Sequence, residues 1–206
     1  MKVVLISKTP DAENTIMYCA RVSNPKNQDS KQSGLLKYCL QHGHYSIFEM
    51  ANMVIEINTS RAISAQIIRH RSFSFQEFSQ RYSEVSGFET YNARSQDMKN
   101  RQNSIDNMSN EDTKWFENAQ AKVITYSKDL YDLAIEKGIA KEQARFLLPM
   151  SSSTKIYMNG TLRSWIHYID TRTEEGTQKE HKDIAEEIKK IFINEFPIIA
   201  EAKGWL

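Results

Sequence analysis

Cysteine is nearly absent: Cys19 and Cys39 are the only two in 206 residues. That excludes a disulfide framework, and neither stands at metal-ligand spacing, so no metal site is expected and both read as reduced core thiols on helix faces. Glycine is also scarce, with seven residues that never form G-x-G-x-x-G or a P-loop. A dinucleotide cradled by a glycine-rich turn is thereby excluded. Nor is there an excess of charge, because 27 cations meet 26 anions for a net +1, which argues against a general polyanion binder. No apolar run reaches membrane-spanning length, and the opening Met1-Lys2-Val3-Val4-Leu5-Ile6-Ser7 is too short for a signal h-region. A cytoplasmic protein without membrane contact is the expectation. With 40% hydrophobic and 26% charged residues, the chain suits one globular domain over residues 1–206.

The elements follow from periodicity. Residues 3–7 read as a short strand. Residues 11–23 and 35–42 read as helices, the second closed by Gly43 as a C-cap would close it. Met53, Ile55 and Ile57 alternate with Asn52, Glu56 and Asn58, which is the period of a strand with one buried face. Thr59 or Ser60 can cap a helix over 61–70. The polar stretch 87–112 reads either as a disordered connector or as a substrate loop carrying Arg94 and Arg101. Helices are expected over 114–137 and 141–148, the latter stopped by Pro149, then a strand over 151–157 and helices over 162–171 and 177–195. The class is α+β: an antiparallel sheet flanked by helices.

Against this background one stretch is unusually dense, Arg69-His70-Arg71-Ser72-Phe73-Ser74-Phe75-Gln76-Glu77-Phe78-Ser79-Gln80-Arg81-Tyr82. Arginine and glutamate are rarely buried without partners, so such a cluster suits a phosphate-bearing ligand better than a core. On a helix over 61–70, Gln66, Arg69 and His70 share one face at i, i+3 and i+4. The plain alternative is that basic residues complement the macrodipole at a helix C-terminus.

Seven residue types in fixed register, Arg69-His70-Arg71 followed by Glu77, Ser79, Arg81 and Tyr82, resemble the signature of the flavin-dependent thymidylate synthases. Further segments resemble that family in the same order. They are Ala20-Arg21-Val22-Ser23, His42-Gly43-His44-Tyr45-Ser46-Ile47-Phe48-Glu49, Lys99 to Ser104, Ala144-Arg145-Phe146-Leu147-Leu148-Pro149, Asn159 to Trp165, and Thr171-Arg172. The resemblance implies reductive methylation of deoxyuridine monophosphate (dUMP) to dTMP. Methylenetetrahydrofolate would be the carbon donor, FAD reduced by NADPH the hydride source, and a homotetramer with shared sites the assembly. It places Ser46, Arg69, His70, Arg71, Glu77, Thr161, Arg163 and His167 around the flavin. It places Gln66, Arg69, Glu77, Ser79, Gln80, Arg81, Arg145 and Arg172 around the nucleotide, with Arg172 as the catalytic residue and His44 on the folate side.

Residue chemistry is compatible with that implication. Methylating C5 of uracil needs electron density on that carbon, and a thiolate adding at C6 would require an exposed electropositive cysteine. Neither Cys19 nor Cys39 neighbours the arginine cluster in sequence. Ser79 lacks a convincing base and orienting group, and reads instead as a hydrogen-bond donor to phosphate. A reduced flavin would remove the need for a protein nucleophile. Arginine can fork onto phosphate or onto the pyrimidine edge. Arg163 and His167, at i and i+4, can share a cofactor face, although His167 also reads as packing near Trp165 and Tyr168. Arg172 equally could pair with Glu174 or Glu175, and His44 could be an ordinary loop histidine.

Three positions depart from the family pattern: Gln76 stands where asparagine is frequent, and Met50 and Gly176 stand where histidine is frequent. Two other functions remain open at this stage. One is a nucleic-acid-binding module using the basic segment with Phe73, Phe75 and Phe78 as stacking platforms. The other is a non-catalytic flavin-binding homologue.

Overall fold

A computed structural model describes residues 1–206. Its centre is a four-stranded antiparallel sheet in the order β1-β2-β6-β3, formed by β1 (Lys2–Lys8), β2 (Asn52–Ser60), β3 (Ser74–Glu77) and β6 (Ser153–Thr161). The alternation in β2 is realised: Met53, Ile55 and Ile57 are fully buried, while Asn52 is exposed. Each such burial is worth about 1.5–3 kcal/mol. A second, two-stranded sheet joins β4 (Ser95–Gln96) to β5 (Ser104–Ile105).

Eight helices complete the chain: α1 (Ala12–Ala20), α2 (Gly34–Gln41), α3 (Arg61–Ile67), α4 (Asn110–Glu136), α5 (Lys141–Ala144), α6 (Leu162–Arg172), α7 (Lys179–Glu195) and α8 (Pro197–Ala202). Leu162, Trp165, Ile166 and Ile169 of α6 and Ile184, Ala185, Ile188 and Phe192 of α7 join the buried face of β2 and β6 in one core. The indole of Trp165 donates to the Met53 carbonyl at 3.0 Å.

Two strand-to-helix junctions position the chemistry. Ser60 ends β2 and caps α3 by accepting from the Ile63 amide, and Thr161 ends β6 and caps α6 by accepting from the Ser164 amide. Such caps satisfy amides that the first helical turn leaves without partners. Because β2 and β6 run antiparallel, with Ser60 opposite Ser153 and Asn52 opposite Thr161, the two helices spring from opposite ends of the central pair.

Several expectations are corrected. The helix from Arg61 ends at Ile67; Arg69 and His70 lie in the turn beyond it, their amides bonded to the Gln66 and Ile67 carbonyls. Gln66, Arg69 and His70 therefore do not share a helix face. The chain must turn there because Phe73 is buried against Trp165 and Tyr168, with ring centroids 4.7 Å and 5.9 Å away. Gly160 of β6 makes this possible, since a Cβ there would overlap the Phe73 ring. The residues after Phe73, to which the sequence assigns no element, form β3, paired with β6 from Ser74 opposite Asn159 to Glu77 opposite Ile156. Strand β6 runs four residues beyond the expected end at 157, α7 begins at Lys179, and α8 was not expected.

The 87–112 stretch is structured. Asp97 accepts from the Lys99 and Asn100 amides at 2.8 Å and 3.1 Å. The Arg94 guanidinium pairs with Glu180 at 2.6 Å, and the Gln120 amide donates to the Tyr91 carbonyl at 2.8 Å. The disordered-connector reading is thus wrong. Cys39 is buried as expected, whereas Cys19 is partly exposed.

Candidate active site

Site residues named from the sequence fall at three places in the fold, although the side chains of Arg69, Arg71 and Glu77 share no hydrogen bond or ion pair with the other members. The first is the outer face of α6. Arg163 and His167 are both exposed, while Trp165 and Tyr168 beside them are buried; His167 is not a packing residue. With Tyr45, Glu49, Ser72 and Asp170 they line a cavity of about 590 Å³. Arg163 also lines a neighbouring cavity of about 650 Å³ together with His44 and Ser46. Both volumes fall in the range of ligand pockets, about 300–1,000 Å³. Arg163 pairs with Glu49, an exposed contact that an incoming anion can replace at little cost. Arg69 and Arg71 are exposed and enter none of the ion pairs of the chain. Exposed guanidinium groups without an ion-pair partner are suited to binding an anion. The Thr161 hydroxyl, by contrast, is used as the α6 cap.

The second focus is a pair of arginines converging on one carboxyl residue. Arg81 donates to the Glu142 carboxylate through Nε at 3.2 Å, and Arg145 donates through Nε to the Glu142 carbonyl at 3.2 Å. Arg81 and Glu142 are about half exposed at 56% and 48%. Ser79 accepts from the Arg81 amide at 3.3 Å, and Gln80 is buried. Glu142 was not foreseen, because an acid three residues before Arg145 on a short helix carries no signal of its own.

The third focus is Arg172. Its Nε donates to His70 Nε2 at 2.8 Å, so the expected alternative of pairing with Glu174 or Glu175 is not what the structure shows. Accepting at Nε2 places the His70 proton on Nδ1. Burial pushes the His70 imidazole down to about 4, with Arg172 and His167 adding to the shift. Gln66 donates to Gln178 at 2.5 Å. Glu77 is occupied within the chain: it pairs with Arg61 at 2.6 Å and accepts from Ser64 at 2.5 Å and Thr154 at 2.9 Å. Its geometry ties α3 and β6 to β3, and its carboxylate is turned to these partners.

Arg94 and Arg101, expected on a substrate loop, line with Tyr91, Trp115 and Gln178 a cavity of about 470 Å³ beside α4. Of the stacking platforms that a nucleic-acid reading uses, Phe73 is buried and only Phe75 and Phe78 are partly exposed.

A pH dependence of stability follows from the histidines. His181 is fully buried, and burial first, then Arg172 and His70, push it down to about 3. The unfolded chain protonates both imidazoles near 6.5, whereas the folded chain does so only near 4 and 3. Their contribution is therefore full above about pH 6.5 and is lost as pH falls toward 4 and below. Thermal unfolding should show Tm declining from pH 7 to pH 4.5; a flat profile would contradict these assignments.

The family described as thymidylate synthase complementing protein matches residues 4–198. A probable flavin-dependent thymidylate synthase of Paramecium bursaria Chlorella virus 1 is 57% identical over 200 residues, covering 95% of this chain and 92% of that one. The flavin-dependent thymidylate synthase of a Synechocystis species is 50% identical over 204 residues, covering 99% and 95%. The fold is shared with the UMP/dUMP methylase PolB of Streptomyces cacaoi, solved with 5-Br dUMP, at a TM-score of 0.87 and 24% identity over 98% of this chain and 93% of that one. On the strength of these matches across nearly its whole length, the chain belongs to the flavin-dependent thymidylate synthase family.

Proposed function

We propose that residues 1–206 form one thymidylate synthase domain that methylates dUMP reductively, with methylenetetrahydrofolate as carbon donor and FAD, reduced by NADPH, as cofactor. The observation that carries this reading is the pairing of Arg172 with a neutral imidazole. A carboxylate partner would neutralise the guanidinium, whereas His70 orients it and leaves its full charge available to a ligand.

When bound, the flavin would supply the hydride that completes the methyl group. The residues of the chain do the rest. Arg172 donates to the uracil edge and stabilises the negative charge that develops at N3 and the carbonyl oxygen. Arg81 and Arg145 hold the phosphate in place of Glu142, and Ser79 and Gln80 complete that end. Arg69, Arg71 and Arg163 face the flavin pyrophosphate, with Ser46, His70 and His167 along the same cofactor and His44 on the folate side. No protein nucleophile is needed: Cys39 lines the cavity that holds His44, Ser46 and Arg163, but burial raises its thiol and so disfavours the thiolate.

The same reading makes the protein a cytoplasmic homotetramer with sites shared between chains. Trp115, Val123, Tyr126 and Leu133 of α4 are exposed at 68%, 53%, 68% and 45%, an apolar face that supports assembly through this helix. Titration with FAD, followed by absorbance and fluorescence, tests the cofactor assignment. Saturable binding at micromolar concentrations is expected, weakened about tenfold or more in Arg163→Ala through loss of a charge-assisted bond. Absence of saturable binding would refute it.

A further inference from the structure

We infer that Tyr168 and His181 are a buried positioning pair for Arg172, in which His181 engages the Tyr168 hydroxyl and thereby leaves His70 Nε2 as the acceptor for Arg172. Its catalytic consequence rests on the function proposed above; its geometry does not. Both residues are fully buried. The Tyr168 hydroxyl and His181 Nε2 are 3.0 Å apart, while His181 Nδ1 has no hydrogen-bond partner.

A buried hydroxyl must find a partner or lose the free energy of its desolvation. Around Tyr168 the packing is aromatic and aliphatic, with Phe73 and Trp165 rings at 5.9 Å and 5.8 Å. Two imidazole rings flank it, each able to accept when its proton is on Nδ1: His181, whose ring centroid lies 5.7 Å away, and His70, at 4.9 Å and edge-on at 74°. His70 is the partner of Arg172. Tyr168 and Arg172 sit at i and i+4 on α6 and so share a face. If the hydroxyl were not held by His181, it would compete with Arg172 for His70.

The place of His181 is fixed from outside the core. It stands in the first turn of α7, where its amide donates to the Gln178 carbonyl at 2.9 Å. The neighbouring Gln178 and Glu180 side chains are tied to Gln66 at 2.5 Å and Arg94 at 2.6 Å. The charged and titratable groups facing the pair are thus Arg172 and His70. Polar groups in a core are costly when half satisfied and are retained as units, which makes the pair, and not either member alone, the object to test.

Three variants separate the possibilities: His181→Leu, Tyr168→Phe and the double variant, each assayed well below its own Tm with saturating FAD. His181→Leu frees the hydroxyl and should lower kcat about tenfold with the KM for dUMP little changed, as expected when a charge stabiliser is displaced. Tyr168→Phe alone should leave kcat within about threefold, and adding it to His181→Leu should restore kcat to that range. A purely structural pair would alter Tm without this split and rescue. An activity-independent reading comes from ¹⁵N-histidine NMR. His70 Nε2 should resonate as a non-protonated acceptor in the wild type, shift in His181→Leu, and return in the double variant. If the wild type made no dTMP while this shift and return were seen, the function would fail and the positioning pair would stand. An unchanged His70 resonance, or a folded His181→Leu enzyme with wild-type kcat, would overturn the pair.

Discussion

Arg172→Ala is expected to lower kcat about a hundredfold or more, the loss that follows removal of a preorganised charge stabiliser. The guanidinium is held at the end of α6 by its Nε bond to His70, which leaves its terminal nitrogens to meet a ligand. Since His70 is kept neutral, truncating Arg172 leaves no other cation in that pair. Arg172→Lys should recover little, because an ammonium cannot donate to His70 and to a pyrimidine edge in one plane. Steady-state kinetics with dUMP decide the matter: a wild-type kcat in folded Arg172→Ala would place the charge stabilisation elsewhere.

Removing both Arg81 and Arg145 should weaken dUMP binding about a hundredfold or more, since each charge-assisted bond to phosphate contributes roughly 1.5–3 kcal/mol. In the free chain these arginines converge on Glu142. Arg81 alone is ion-paired there, an exposed contact worth little, and Arg145 meets only the Glu142 backbone carbonyl, so a phosphate dianion engages both readily. The effect should appear in KM, with kcat at saturation largely kept, because the phosphate lies away from the reacting carbon. Affinity for deoxyuridine, which lacks the phosphate, should be unaltered, and calorimetric titration of the double alanine variant with dUMP and deoxyuridine separates the two. Equal losses for both ligands would remove these arginines from the phosphate site.

The contrast between what could and could not be read from the sequence is physical. Alternation in Met53, Ile55 and Ile57 is a local signal and predicted β2. The i, i+4 placement of Arg163 and His167 predicted a shared outward face on α6. Strand β3 was missed because Ser74–Glu77 has no strong periodicity, and its pairing depends on β6 and on room for Phe73 above Gly160. The extent of α3 was overestimated for the same reason. Glu142 and His181 were missed because their partners are distant in sequence or, for His181 and Tyr168, thirteen residues apart. Glu77, a ligand contact by family resemblance, is held within the chain by Arg61, Ser64 and Thr154, partners too distant in sequence to be read from its neighbours. The departure at Gly176 does gain an explanation, since its φ of 88° favours glycine over a histidine in the turn between α6 and α7. Met50 lies exposed beside Glu49, the partner of Arg163, and nothing in the structure explains its replacement of a histidine.

Flavin-dependent methylation without a protein nucleophile is tested most directly by product chromatography on the folded Cys19→Ser, Cys39→Ser double variant. It is supplied with dUMP, methylenetetrahydrofolate and NADPH, with and without FAD. The expected result is dTMP at a rate within about threefold of wild type when FAD is present and none when it is removed. Abolished activity in the folded, FAD-loaded double variant, or dTMP formed without flavin, would contradict it.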